Sequence, residues 1–166
     1  KLMRDFRLLQ GTVALITGAA SKRGLGRAIA QLFAEQGAQV VLLDLDADLC
    51  QQVAAELGGG HLGWHCDVTS KQQCSEATQQ ALDTFGKIDV LVNNAGVSFV
   101  EPVQGVSAER FAWNFQINVN APIALMHHVM GGSSALICFA SASPEIFGMA
   151  YSATILPIPG SHQPSA

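Results

Sequence analysis

One stretch constrains this chain more than any other: residues 12–37 read as a buried strand, a loop bearing three glycines, and a helix. Val13-Ala14-Leu15-Ile16 shows no polar alternation, which suits a strand covered on both faces. Thr17-Gly18-Ala19-Ala20-Ser21-Lys22-Arg23-Gly24-Leu25-Gly26 follows it. Leu25, Ala28, Ile29, Leu32 and Phe33 then recur at helical spacing until Gly37. A strand buried on both sides calls for helices above and below a parallel sheet.

The rest of the chain repeats this alternation. Residues 39–43 form a second apolar run that closes on Asp44, and residues 47–57 place Leu49, Val53, Ala54 and Leu57 on one helical face before Gly58-Gly59-Gly60. Residues 62–67 read as a weaker strand. Ser70 followed by Gln73 reads as a capping box opening a helix that carries Cys74, Ala77, Ala81 and Phe85 to a stop at Gly86. Residues 88–92 make a fourth strand ending on Asn93. Ser107 caps a long helix toward Met130, in which Pro122 predicts a kink or break near Ala121. Residues 135–140 make a fifth strand. The expected fold is α/β: a Rossmann-type, doubly wound parallel sheet of about five strands with right-handed crossovers and helices on both faces.

Beyond Ser141 the periodicity fails, and Pro144, Pro157, Pro159 and Pro164 are scattered through the remainder. The expected organisation is one domain over residues 1–151 and an irregular tail over 152–166, which leaves the fifth strand as an exposed sheet edge.

Composition removes several classes of function. With 49% apolar and 13% charged residues, 166 residues suffice for a core, and a net charge of −4 provides no basic field for nucleic acid or an anionic membrane. No apolar stretch approaches the ~20 residues of a membrane span. Cys50, Cys66, Cys74 and Cys138 form no C-x-x-C pair and no zinc spacing, and read as reduced thiols of a cytoplasmic protein. No metal site is expected; His61, His65, His127 and His128 read as structural or surface histidines.

The glycine loop has a chemistry. Gly18 permits a sharp exit from the strand, while Gly24 and Gly26 let the backbone approach a pyrophosphate facing the unpaired N–H groups of the helix start. Asp44 follows Gly26 by 18 residues, near the ~20-residue offset at which an acid bonds the adenosine ribose of a dinucleotide. Its carboxylate repels a 2′-phosphate and argues for NAD over NADP. Lys22 and Arg23 argue the other way, since they are able to neutralise that phosphate.

With these marks the chain resembles the short-chain dehydrogenase/reductase family. The family's T-G-x-x-x-G-x-G loop matches apart from two extra residues, assigned to Lys22-Arg23. Further matches are Cys66-Asp67-Val68 after the third strand, Asn93-Asn94-Ala95-Gly96 after the fourth, Asn118 in Ile117-Asn118-Val119, and Tyr151-Ser152-Ala153. The resemblance implies a nicotinamide dinucleotide held by Gly18, Ser21, Arg23, Gly24, Leu25, Gly26, Asp44, Leu45, Cys66, Asp67, Val68, Asn93, Ala95 and Gly96. It also implies an oxidoreductase that interconverts a secondary alcohol and a ketone, with Tyr151 as acid/base, Ser141 orienting the substrate, Ser143 second to it, and Asn118 holding a water relay. Small alcohols or ketones are the implied substrates and a homo-oligomer the implied assembly.

The chain departs from the family at its end. The lysine that lowers the tyrosine pKa one turn later is replaced by Ile155, and Lys1, Lys22, Lys71 and Lys87 all precede Tyr151. Bringing a phenol from about 10 to about 7 requires roughly 4 kcal/mol of differential stabilisation. Ser141 and Tyr151 are also closer together than is usual, and members continue well past the tyrosine, so a shortened form or lost segments are both expected possibilities. Two rival readings follow: a catalytically silent dinucleotide-binding module, favoured by Ile155, and an S-adenosylmethionine-dependent transferase. Asn93-Asn94-Ala95-Gly96 and Tyr151-Ser152-Ala153 argue against the second.

Overall fold

Alternation along the central strands divides their apolar side chains between two cores. The computed structural model describes residues 7–99, 102–132, 136–139 and 153–154. Its strands are β1 (Val13–Thr17), β2 (Gln39–Asp44), β3 (Leu62–His65), β4 (Val90–Asn93), β5 (Leu136–Phe139) and β6 (Ala153–Thr154). Its helices are α1 (Leu25–Glu35), α2 (Ala47–Leu57), α3 (Lys71–Phe85), α4 (Ala108–Phe115) and α5 (Ala121–Gly132). Ala14, Ile16, Val40, Leu42, Val90 and Val92 pack with Ala30 of α1 and with Cys50, Val53 and Ala54 of α2. Leu15, Val41, Leu43 and Leu91 face the other way, onto Cys74, Ala77 and Ala81 of α3 and Leu125 and Val129 of α5. Full burial of each such leucine or valine stabilises the fold by roughly 1.5–3 kcal/mol before entropy is counted.

The sheet order is β3-β2-β1-β4-β5-β6. Strands β1 to β5 pair in parallel, as the α/β expectation requires. The chain winds outward from β1 to β3, then returns to the other side of β1 for β4 and β5. That reversal opens a crevice at the carboxyl ends of β1 and β4, where ligands bind in open sheets of this kind.

Three local expectations are corrected and one is met. Ser70 does cap α3, accepting from the Gln73 N–H, but the Gln73 side chain accepts from the Asp67 N–H at 2.7 Å, so the box is only half formed. Strand β3 ends at His65, although the Cys66 N–H still reaches the Asp44 carbonyl at 2.8 Å. The break expected near Ala121 is present: Gln116–Asn120 is a π-helical turn in which the Ala121 N–H donates to the Gln116 carbonyl. Pro122 has no N–H to give to the Asn118 carbonyl four residues earlier, and its ring crowds that carbonyl, so the disturbance falls in the preceding turn. Finally, Ala153–Thr154 pairs antiparallel with β5, within the stretch expected to be irregular, and it covers part of the edge expected to be open.

Among the described residues no helix is long and apolar enough to cross a membrane, and no three His, Cys, Asp or Glu side chains are grouped to hold a metal.

Candidate functional site

A cleft of about 390 Å³ lies at the topological reversal. Its wall is formed by Gly18, Ser21, Gly24 and Leu25 from the first loop, Asp44 and Leu45 from the end of β2, Cys66 to Thr69 after β3, Asn94 to Ser98 after β4, and Ile117 from the π-helical turn. Four of these five segments converge because each follows a parallel strand at the same sheet edge, and Ile117 joins them from the helical layer.

The glycine loop is shaped by protein contacts first. Gly18 has φ +65°, and a Cβ there would come within 2.8 Å of the Ala95 backbone. Only glycine permits both the left-handed turn and that approach. Gly26 is buried outside the cleft wall, and a Cβ on it would strike the Asn94 side-chain nitrogen at 2.5 Å and the Gly18 carbonyl at 2.7 Å. Its lack of a Cβ therefore allows close packing of α1 on the loop and on Asn94. Gly24 does border the cleft. Its N–H donates to the Ser21 carbonyl at 3.0 Å, closing a turn whose exposed corners are Lys22 and Arg23. Arg23 consequently stands outside the wall.

Helix α1 differs from the other capped helices. Asp46, Ser70 and Ser107 cap α2, α3 and α4 through their side chains, whereas Gly24 leaves α1 without a side-chain cap. The first-turn N–H groups of α1 thus begin at the cleft with the helix dipole behind them, an arrangement that attracts an anion. Beside the loop Asp44 supplies a carboxylate able to accept hydroxyl donors.

On the β3 side Asp67 Oδ1 accepts from both the Thr69 N–H (2.9 Å) and the Thr69 hydroxyl (2.7 Å). Cys66 borders the cleft, and its thiol is raised above the ordinary range by its hydrogen bond with Cys74 and by burial. Burial pushes the Cys50 thiol up to about 12, and the Asp44 and Asp46 carboxylates add to the shift. These thiols stay protonated at neutral pH, and thiolate chemistry is excluded for Cys50 and Cys66.

On the β4 side the hub is Thr17, a residue without a place in the sequence-based list. Its buried hydroxyl donates to the Val92 carbonyl and accepts from the N–H groups of Asn94 (3.0 Å) and Ala95 (2.9 Å). The Asn94 amide nitrogen donates to the Thr17 and Gly18 carbonyls, both at 2.9 Å. Its Oδ1 is buried with no hydrogen-bond partner among the described residues. Asn93 is 5% exposed, lies behind the wall, and has an Nδ2 without a hydrogen-bond partner among the described residues. Of the two asparagines the second, not the first, borders the cleft.

Asn118 clamps the loop after β4. Its Oδ1 accepts from the Val97 N–H at 2.9 Å, and its Nδ2 donates to the Val97 carbonyl at 2.7 Å and to Asn114 Oδ1 at 3.1 Å. The side chain is committed to these partners. Ser141, Ser143, Tyr151 and Ile155 lie outside the described residues.

Eleven of the expected binding residues border the cleft: Gly18, Ser21, Gly24, Leu25, Asp44, Leu45, Cys66, Asp67, Val68, Ala95 and Gly96. Sequence reading missed Thr69, Asn94, Val97, Ser98 and Ile117. The first two had a signal, since Thr69 adjoins a quoted motif, Asn94 stands inside one, and each carries a hydrogen-bonding side chain. Val97 and Ser98 had none, and Ile117 stood within the quoted Ile117-Asn118-Val119.

The sequence matches the family model described as Enoyl-(Acyl carrier protein) reductase over residues 18–156. It is 36% identical to an uncharacterised short-chain type dehydrogenase/reductase of Sinorhizobium fredii, across 85% of this chain and 61% of that protein. It is 37% identical to D-threitol dehydrogenase of Mycolicibacterium smegmatis, across 86% of this chain and 56% of that protein. Sorbitol dehydrogenase of Cereibacter sphaeroides is 36% identical across 73% of this chain and 46% of its own length. The chain thus spans little more than half the length of the first two of these relatives. The parallel sheet, the glycine loop at its reversal and a family match covering most of the sequence agree, and the chain belongs to the short-chain dehydrogenase/reductase family.

Proposed function

We propose that the protein is an oxidoreductase that moves hydride between NAD(H) and the carbinol carbon of a secondary alcohol or ketone. The observation that carries the reading is the pairing, in one cleft, of an uncapped helix N-terminus with a strand-end carboxylate. The first suits a pyrophosphate, and the second suits ribose hydroxyls while repelling a 2′-phosphate. The nicotinamide supplies or accepts the hydride when bound.

The chain's own residues then have separate tasks. Tyr151 exchanges a proton with the substrate oxygen and Ser141 orients that oxygen. Asn118 acts through its backbone carbonyl, because its side chain is engaged by Val97 and Asn114 and Pro122 deprives that carbonyl of its usual helical donor. Relatives named dehydrogenases of D-threitol, galactitol and sorbitol make polyols the first substrates to try.

A second reading, nucleotide binding without turnover, rests on Ile155 standing where the family has lysine. NADH oxidation against a panel of ketones separates the two, with NAD⁺ reduction by polyols as the reverse assay. Turnover that falls about 10²- to 10⁴-fold in Tyr151→Phe supports the oxidoreductase. Saturable NADH binding with no turnover on any carbonyl supports the silent module, and undiminished turnover in Tyr151→Phe removes the role given to the tyrosine.

A further inference from the structure

Three consecutive amides of the glycine loop are turned away from the cleft and onto the end of β2. The Gly18 and Ala19 N–H groups donate to the Leu43 carbonyl at 2.7 and 3.5 Å, and the Ala20 N–H donates to Asp44 Oδ2 at 2.9 Å. The other carboxylate oxygen, Oδ1, accepts from the Leu45 N–H at 2.8 Å. The Asp44 carbonyl accepts from the Cys66 N–H at 2.8 Å. One residue therefore ties the glycine loop, the exit of β2 and the exit of β3 together.

The loop beyond Ala20 is supported mainly from this side. Ser21 to Gly24 is a turn closed by its own backbone, with both central residues exposed, and α1 has no side-chain cap to fix its start. The Asn94 amide holds the loop at Thr17 and Gly18, before Ala20 is reached. Each carboxylate oxygen offers about two acceptor positions, so one on each remains for a ribose hydroxyl while the backbone amides hold the others. Such charge-assisted bonds are stronger than neutral ones, so the carboxylate cannot turn aside at little cost.

We propose that Asp44 is a positioning residue for the phosphate-facing loop as well as a ribose acceptor, its carboxylate pinned by the Ala20 and Leu45 amides so that the loop is held in shape for a diphosphate. This rests on the reading of the cleft as a dinucleotide site, and it differs from charge discrimination alone in one consequence. A residue that merely repels a 2′-phosphate gives up NADH and admits NADPH when neutralised. A residue that also holds the loop costs both nucleotides when its acceptors are deleted.

The test compares wild type, Asp44→Asn and Asp44→Ala. Dissociation constants for NADH and NADPH are measured by calorimetry, and exchange of the Ala20 amide is followed by NMR in the ligand-free protein. Asp44→Ala is expected to weaken both nucleotides about 10- to 100-fold, the range spanned by one charge-assisted hydrogen bond, and to speed Ala20 exchange by at least about tenfold. Asp44→Asn retains an oxygen for the Ala20 N–H, so it is expected to keep Ala20 protected and to rescue NADPH binding relative to Asp44→Ala. Asp44→Ala that binds NADPH more tightly than wild type, with Ala20 exchange unchanged, would overturn the proposal. The exchange measurement needs no ligand, so it judges the loop tie even if wild type binds neither nucleotide, an outcome that overturns the functional reading instead.

Discussion

Thr17 shows how much one hydroxyl can organise. Its Oγ1 accepts from two backbone N–H groups of the loop after β4 while donating to Val92, so the mouth of β1 and the mouth of β4 are held together beneath the cleft. Thr17→Val keeps the shape and strands both donors, and is expected to destabilise the fold by ~1–3 kcal/mol in urea titrations, whereas Thr17→Ser stays near wild type. His61 presents a second case. Its Nδ1 accepts from the Val40 N–H at 3.1 Å, which requires the neutral ring, and burial lowers its pKa below the ordinary value. A lowered folded value means that the unfolded chain binds the proton first. The stabilisation is therefore complete above about pH 6.5 and is lost as pH falls from there through the folded value. His61→Asn places an oxygen where Nδ1 stands, so the urea midpoint should fall less between pH 7.5 and 5.5 than in wild type; an equal fall would contradict the assignment.

Packing between elements sets where these residues stand. Helix α2 lies so close over β3 that a Cβ on Gly63 would come within 2.3 Å of the Cys50 carbonyl carbon and oxygen. Those atoms belong to helix backbone and cannot yield as a side chain would. Gly63→Ala is therefore expected to cost ~1–3 kcal/mol or more, read as a lowered urea midpoint. The elements that sequence made legible are those governed by strict local rules. The run 47–57 between Asp46 and Gly58 predicts α2 to the residue, and the all-apolar run 13–16 predicts a strand buried on both faces. The half-formed cap at Ser70 was not legible, because Gln73 chose the Asp67 N–H, a partner that exists only once the loop after β3 has folded. The π-helical turn was only partly legible: Pro122 announces a disturbance, but its position depends on how α4 and α5 pack. Asn118 belongs with these, since its spacing marks it for the site while only the folded loop shows its side chain occupied by Val97.

At the scale of the whole molecule the account reduces to one arrangement: a sheet that reverses its winding between β1 and β4, with the glycine loop and Asp44 joined on one side of the cleft and the loop after β4 on the other. The glycine spacing and the acid after β2 were readable in the sequence because they answer to backbone geometry. Val97 and Ser98 became visible only when the strand ends were brought together. Nucleotide binding must also appear as stability, since a ligand that binds only the folded state adds about 2.7 kcal/mol at a hundredfold excess over its dissociation constant. The most direct measurement is calorimetric titration of the folded chain with NADH. The account predicts saturable one-to-one binding, tighter than for NADPH, with a matching rise in the thermal midpoint. A chain that is folded by circular dichroism yet shows no saturable binding of either nucleotide would contradict it.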